Sequence, residues 1–121
     1  MIQKFRWRDV KAEPVEMEGA SGAKIRWLID ERRGARTFAM RVFELAEGGR
    51  TPLHSHDYEH EVFVLQGRGR LVTGGEPLVL EPGDVLFIPG GEEHQFVNEG
   101  AEPFFFICLI PLGARAGPGG R

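Results

Sequence analysis

Gly48-Gly49-Arg50-Thr51-Pro52-Leu53-His54-Ser55-His56-Asp57-Tyr58-Glu59-His60 carries three of the four histidines in this 121-residue chain. The fourth, His94, lies in a second glycine-bearing stretch, Pro89-Gly90-Gly91-Glu92-Glu93-His94-Gln95-Phe96-Val97-Asn98. A chain that confines all its imidazoles to two short segments points to a metal site. Residues i and i+2 of an extended segment face the same side, so His54 and His56 project together. Two neutral imidazoles aimed into one space are the start of such a site. His60 comes after a longer step that returns a ligand to that space from the next strand. Counting back from Gly67, which ends that strand, puts His60, Val62 and Val64 on one face and Glu61, Phe63 and Leu65 on the other. Both faces carry apolar residues, so Glu61 stays a rival to His60 as ligand. His94, with Phe96 on the same side, can supply a further ligand from a separate strand.

Outward from these segments, glycine and proline punctuate the chain closely, and no stretch has a convincing helical period. Short runs rich in β-branched and aromatic residues occupy 24–29, 37–45, 61–66, 69–73, 78–80, 85–88, 95–98 and 104–110. They read as strands. Glu47-Gly48-Gly49, Thr73-Gly74-Gly75-Glu76, Glu81-Pro82-Gly83-Asp84 and Asn98-Glu99-Gly100-Ala101 read as the turns between them. Many short strands with frequent turn signals indicate an all-β antiparallel sandwich or barrel. One domain over residues 1–112 is expected, with a barrel core from about residue 24 and an N-terminal arm or edge strand over 1–23. The tail 113–121 is Gly, Ala, Pro and Arg, has no core-forming pattern, and is expected to be disordered.

Composition removes several function classes. A net charge of −3 with mixed signs offers no basic stripe for nucleic acid. No apolar run is long enough to cross a bilayer, and the charged N-terminus has no secretory apolar region. A single cysteine, Cys108, forms no internal disulfide and suits a reducing, cytoplasmic setting.

The spacings Gly48-x5-His54-x-His56-x3-His60-x6-Gly67 and Gly83-x5-Pro89-x-Gly91-x2-His94-x3-Asn98 resemble the two cupin motifs. The resemblance implies a single-domain jelly-roll β-barrel with one metal in its mouth. The chain departs from the usual cupin pattern at position 60, which is His instead of Glu. With the run His54–Gly67 and the ending Phe106-Ile107-Cys108-Leu109-Ile110-Pro111, it is similar to small stand-alone bacterial cupins that hold manganese on four histidines. By that resemblance His54, His56, His60 and His94 are all ligands. One divalent transition ion per chain is implied, manganese first and iron second, with Zn, Ni, Co or Cu able to occupy purified protein. A homodimer is implied as well.

Four histidines around a roughly octahedral ion leave two open positions, the mark of a catalytic site. The leading expectation is a Mn- or Fe-dependent oxidoreductase of dioxygenase type acting on a small oxygen-bearing molecule. Two alternatives remain: a metal-dependent isomerase or lyase, or a non-enzymatic cupin that binds a small ligand. The isomerase needs a base, and Tyr58 and Glu61 are the only nearby candidates. Alternation along 104–110 puts Phe104, Phe106, Cys108 and Ile110 inward under the cupin reading. The cavity wall is then Phe106, Cys108, Phe96 and Phe104, faced by Met40 from the set Phe38, Met40 and Val42. No catalytic residue stands out.

Overall fold

The computed structural model describes residues 1–113. Apart from Gly113, the expected disordered tail lies outside the described residues. The described residues form nine strands: β1 (Glu13–Pro14), β2 (Ser21–Ile29), β3 (Phe38–Arg50), β4 (His60–Gln66), β5 (Gly69–Thr73), β6 (Leu78–Leu80), β7 (Val85–Ile88), β8 (His94–Asn98) and β9 (Phe104–Pro111). Short 3-10 turns at Trp7–Asp9 and Glu31–Arg33 complete the regular structure. The strands make one sheet in the order β6-β5-β8-β3-β9-β4-β7, with β2 also on β3 and β1 on β2. Its pairings are antiparallel. β9, last in sequence, lies between β3 and β4, so the sheet curls around a common interior in the expected jelly-roll manner.

That interior is apolar. Ile25, Leu45, Val64, Leu71, Phe104 and Phe106 are among the side chains that fill it. A second cluster lies on the outer side, where Leu28, Val42 and Phe105 are covered by Phe5, Trp7 and Val10. Trp7 meets Phe105 edge-on at 5.2 Å, and the Arg8 guanidinium stacks 4.4 Å from the Trp7 ring. β3 and β9 are thus buried on both faces, which explains why their sequences do not alternate apolar with polar residues.

Glu47-Gly48-Gly49 is not the turn expected from its composition. β3 runs through it to Arg50, and the pairing with β2 slips there, from Ala23↔Leu45 to Ser21↔Arg50. A Cβ on Gly49 would come within 2.7 Å of the Gly22 carbonyl oxygen and 2.8 Å of that of Ala46, so only glycine allows this close approach. The bulge swings the end of β3 onto β8, where Arg50 pairs Val97. Asn98 holds the corner closed. Its buried amide donates to the carbonyls of Leu45, Ala46 and Glu102, and its Oδ1 accepts from the Gly100 N–H. The corner delivers the chain directly into Thr51-Pro52-Leu53-His54.

Candidate metal centre

His54 and His56 do not lie on a regular strand. They occupy an extended loop after β3, tied to β8 through a single bridge in which the His54 and His94 backbones exchange hydrogen bonds of 3.2 and 2.9 Å. A second tie comes from the turn before β8. The Gly91 N–H donates to the His56 carbonyl, and a Cβ on Gly90 would approach the Asp57 carbonyl oxygen to 2.5 Å. Glycine at 90 therefore lets the two histidine segments lie against each other. One ring nitrogen from each of His54, His56 and His94 falls within 4.8 Å of the other two.

This is a three-histidine cluster where the sequence suggested four. The His60 ring is close by, 4.9 Å from His94 and 5.3 Å from His56 between centroids, but it is not a member of the converging set. β4 carries the phase read from Gly67: His60, Val62 and Val64 are buried, while Glu61 and Phe63 are exposed. Glu61 faces an outer depression with Phe38 and Leu109, on the far side of the strand from the histidines. None of the neighbouring glutamates holds an imidazole through its carboxylate. The His94 Nδ1 instead lies 2.9 Å from the Glu92 backbone carbonyl, which accepts its proton and leaves Nε2 as the lone-pair nitrogen. His60 has a parallel arrangement, with Nδ1 3.2 Å from the Cys108 sulfur. Its Nε2 is buried with no hydrogen-bond partner among the described residues. A buried imidazole nitrogen left unpaired beside two other rings is what a metal-binding histidine looks like before the ion is considered.

The histidines open onto a small, partly open cavity of about 30 Å³. Phe96, Phe106 and Cys108 are among the residues that line it. Phe104 and Ile110 point inward and are buried, but they lie in the core away from this cavity. Met40 is on the wrong face: it packs in the outer cluster with Val42, and Phe38 is exposed. The wall beside β9 is made by Arg41 and Phe43 of β3, next to Cys108 and Phe106. A cation inside an apolar run has the sequence signature of an exposed position, so the local sequence gives no sign that Arg41 points inward. Its register opposite Cys108, which would have revealed it, is a non-local pairing.

Arg41 is 3% exposed. One guanidinium nitrogen, Nη2, donates to the Cys108 sulfur at 2.9 Å, and the group lies 4.9 Å from the Phe43 ring and 5.5 Å from the Trp27 ring. Its Nε is buried without a partner, and Arg41 makes no ion pair among the described residues. Burial raises the pKa of the Cys108 thiol, with the Arg41 charge opposing that shift.

A family model described as a cupin domain matches residues 41–110, which span the bulge, both histidine segments and β9. The chain is a cupin. The polyketide cyclase RemF from Streptomyces resistomycificus has a similar structure, with a TM-score of 0.87 at 38% identity over 93% of this cupin and 80% of that chain. A 1-methylthio-D-xylulose 5-phosphate methylsulfurylase from Rhodospirillum rubrum is 31% identical over 88% of this cupin and 69% of its own length. A glucose-6-phosphate isomerase from Thermococcus gammatolerans is 31% identical over 70% of this cupin. The match spans 51% of that isomerase. Among the described residues, no helix is long and apolar enough to cross a membrane.

The cupin keeps its histidines neutral. Burial, followed by repulsion from Arg41 and the other histidines, lowers His60 to about 2. Burial and the charges of His54 and His94 lower His56 to about 4. His54 and His94 are also lowered, chiefly by burial. Below the ordinary histidine value of 6.5, the unfolded chain therefore binds more protons than the folded one, and stability must fall with pH. For metal-free protein the loss begins near pH 6.5 and continues down to about 4, as unfolded histidines charge and folded His56 does not. Thermal melts at pH 7.5 and pH 5 should show Tm lower by roughly 5 °C or more at the acid value. An unchanged Tm would mean that the rings are not buried as neutral groups.

Proposed function

We propose that this cupin is a metal-dependent isomerase or lyase, cyclisation included, acting on a small oxygen-bearing molecule. The observation that carries this reading is the cavity lining. Neutral imidazoles converge beside a buried guanidinium, and no carboxylate is among the lining residues, so the site is built to stabilise negative charge developing on oxygen. The names carried by two relatives, a cyclase and an isomerase, describe rearrangement rather than oxygen insertion, which favours this chemistry over the dioxygenase expected from sequence.

His54, His56 and His94 are the residues that would hold the ion, with His60 Nε2 as the fourth donor. We assign one divalent transition ion, manganese or iron, by the four-histidine pattern. When bound, such an ion acts as a Lewis acid that polarises a substrate carbonyl. Phe43, Phe96 and Phe106 keep the inner cavity dry, which strengthens every electrostatic contact inside it. Neither Tyr58 nor Glu61 serves as the base, so the proton leaving the substrate carbon passes to water at the open mouth of the cavity. Burial holds the Tyr58 phenol up at about 12, so at neutral pH it retains its proton and can only donate, and Glu61 faces outward.

The test is an anaerobic assay in heavy water, with Mn- or Fe-loaded protein and a panel of small ketones, ketoses and diketones. Solvent deuterium should enter the substrate carbon next to the carbonyl, or an isomer of unchanged mass should form, with no oxygen required. Oxygen uptake in step with turnover would restore the dioxygenase. Tight binding without turnover under either metal would leave a ligand-binding cupin.

We also propose that the protein is a homodimer. The N-terminal segment covers the outer faces of β3 and β9 but leaves Phe63, Val85 and Phe87 exposed at 45, 72 and 61% on β4 and the edge strand β7. Phe63 lies opposite Val85, so the three side chains form one apolar patch at a free sheet edge. Light scattering should give a dimer mass for the wild type and a monomer for Phe63→Asp/Phe87→Asp. A monomeric wild type would remove this assignment.

A further inference from the structure

We propose that Arg41 is an anion-binding residue of the cavity, and that the substrate carries a carboxylate whose oxygens are shared between Arg41 and the histidine centre. The inference rests on the metal-dependent reading above and narrows its substrate class.

Three observations point the same way. Arg41 lines the cavity and is almost fully buried, yet it has no carboxylate partner among the described residues. A buried cation without a counter-charge is strongly unfavourable, and proteins rarely leave one unless something else neutralises it. Its contacts are with a sulfur and two aromatic faces, which hold the guanidinium in place but offset little of its charge. The Nε–H, buried and unpaired, is a donor still to be satisfied. The surroundings make the deficit larger. Histidine binds a metal as a neutral imidazole, so an ion held there adds positive charge to that of Arg41, and no acidic side chain lines the cavity to balance either. A bound anion balances both at once.

Size and shape select the anion. The cavity is open on the side of the partly exposed His54 and His56, so the body of the ligand lies toward that mouth. A planar carboxylate matches the flat donor fork of arginine and brings the single negative charge that one guanidinium needs. A phosphate group is bulkier and more highly charged. The alternative role for Arg41 is purely structural, as a clamp on Cys108 and hence on His60.

Calorimetric titration of Mn-loaded full-length protein separates these roles without turnover. The probes are pyruvate, malonate, inorganic phosphate, and the neutral malonamide. The wild type should bind the two carboxylates at least tenfold more tightly than phosphate or malonamide. Arg41→Gln should weaken carboxylate binding at least tenfold while manganese content stays at one per chain. Arg41→Lys should keep the preference for anions but with reduced affinity. Phosphate preferred over carboxylate would overturn the carboxylate assignment. Carboxylate affinity unchanged in Arg41→Gln, or wild-type binding of malonamide equal to that of malonate, would overturn the anion site and leave the clamp. If Arg41→Gln fails to fold, Arg41→Lys decides: malonate affinity equal to that of the wild type would overturn the anion site. Because the readout is binding, these outcomes hold whether or not the isomerase assay finds turnover.

Discussion

His94→Ala should abolish metal loading. His94 is buried, its Nδ1 is committed to the Glu92 carbonyl, and its Nε2 is the nitrogen that can meet those of His54 and His56. Removing groups that merely orient a metal ligand costs about 10- to 100-fold in affinity, so deleting a pre-oriented ligand should cost more than about 100-fold. Metal analysis after dialysis should find the variant empty, and its Tm should match that of metal-free wild type. The backbone bridge between His54 and His94 remains in the variant, so the fold should survive. Two companion variants test the β4 register. Glu61→Ala should keep its metal because that carboxylate faces the outer depression. His60→Ala should weaken binding by roughly 10-fold or more, through loss of its buried Nε2. Glu61→Ala stripped of metal beside a fully loaded His60→Ala would reverse the assignment of β4.

Phe106→Ala should be the most destabilising single substitution near the site. The ring is 1% exposed and stacks on Phe96 at 4.1 Å and on Phe43 at 5.1 Å, so it joins β9 to β8 and β3 across the barrel interior. Phe→Ala in such a setting costs about 3–5 kcal/mol, because the lost burial leaves a cavity that β-strand neighbours fill poorly. Urea denaturation should show this loss with an unchanged slope, and Tm should fall by roughly 10–20 °C. Phe106→Leu should recover most of it. A cost below about 1 kcal/mol would mean that Phe43 and Phe96 collapse into the space, and that the cavity wall is soft.

The phase of β4 could be read from sequence because Gly67 supplies a fixed point and the inward residues alternate strictly from it, as the burial of His60, Val62 and Val64 shows. β9 alternates as strictly but has no such fixed point; the cupin resemblance chose its inward face, and Phe104, Phe106, Cys108 and Ile110 do face the interior. β3 offered no such marker. The glycine pair taken for its end is a bulge inside it, and the arm around Trp7 makes its outer face as apolar as its inner one. With both faces buried, hydrophobicity carries no phase, and the inward set is Arg41 and Phe43 instead of the expected Met40.

Local sequence thus determined the all-β character, most strand positions, the histidine segments and the cupin family, because each rests on turn chemistry and period-two spacing within a few residues. The tertiary structure alone decided which histidines converge, where His60 stands relative to the other three, and that a buried arginine shares their cavity. Those features depend on the pairing of β3 with β9 and on the approach of Gly90 to Asp57, contacts between residues far apart in the chain. Spacing along one strand can say which side a residue faces. Only the packed barrel can say what it faces there.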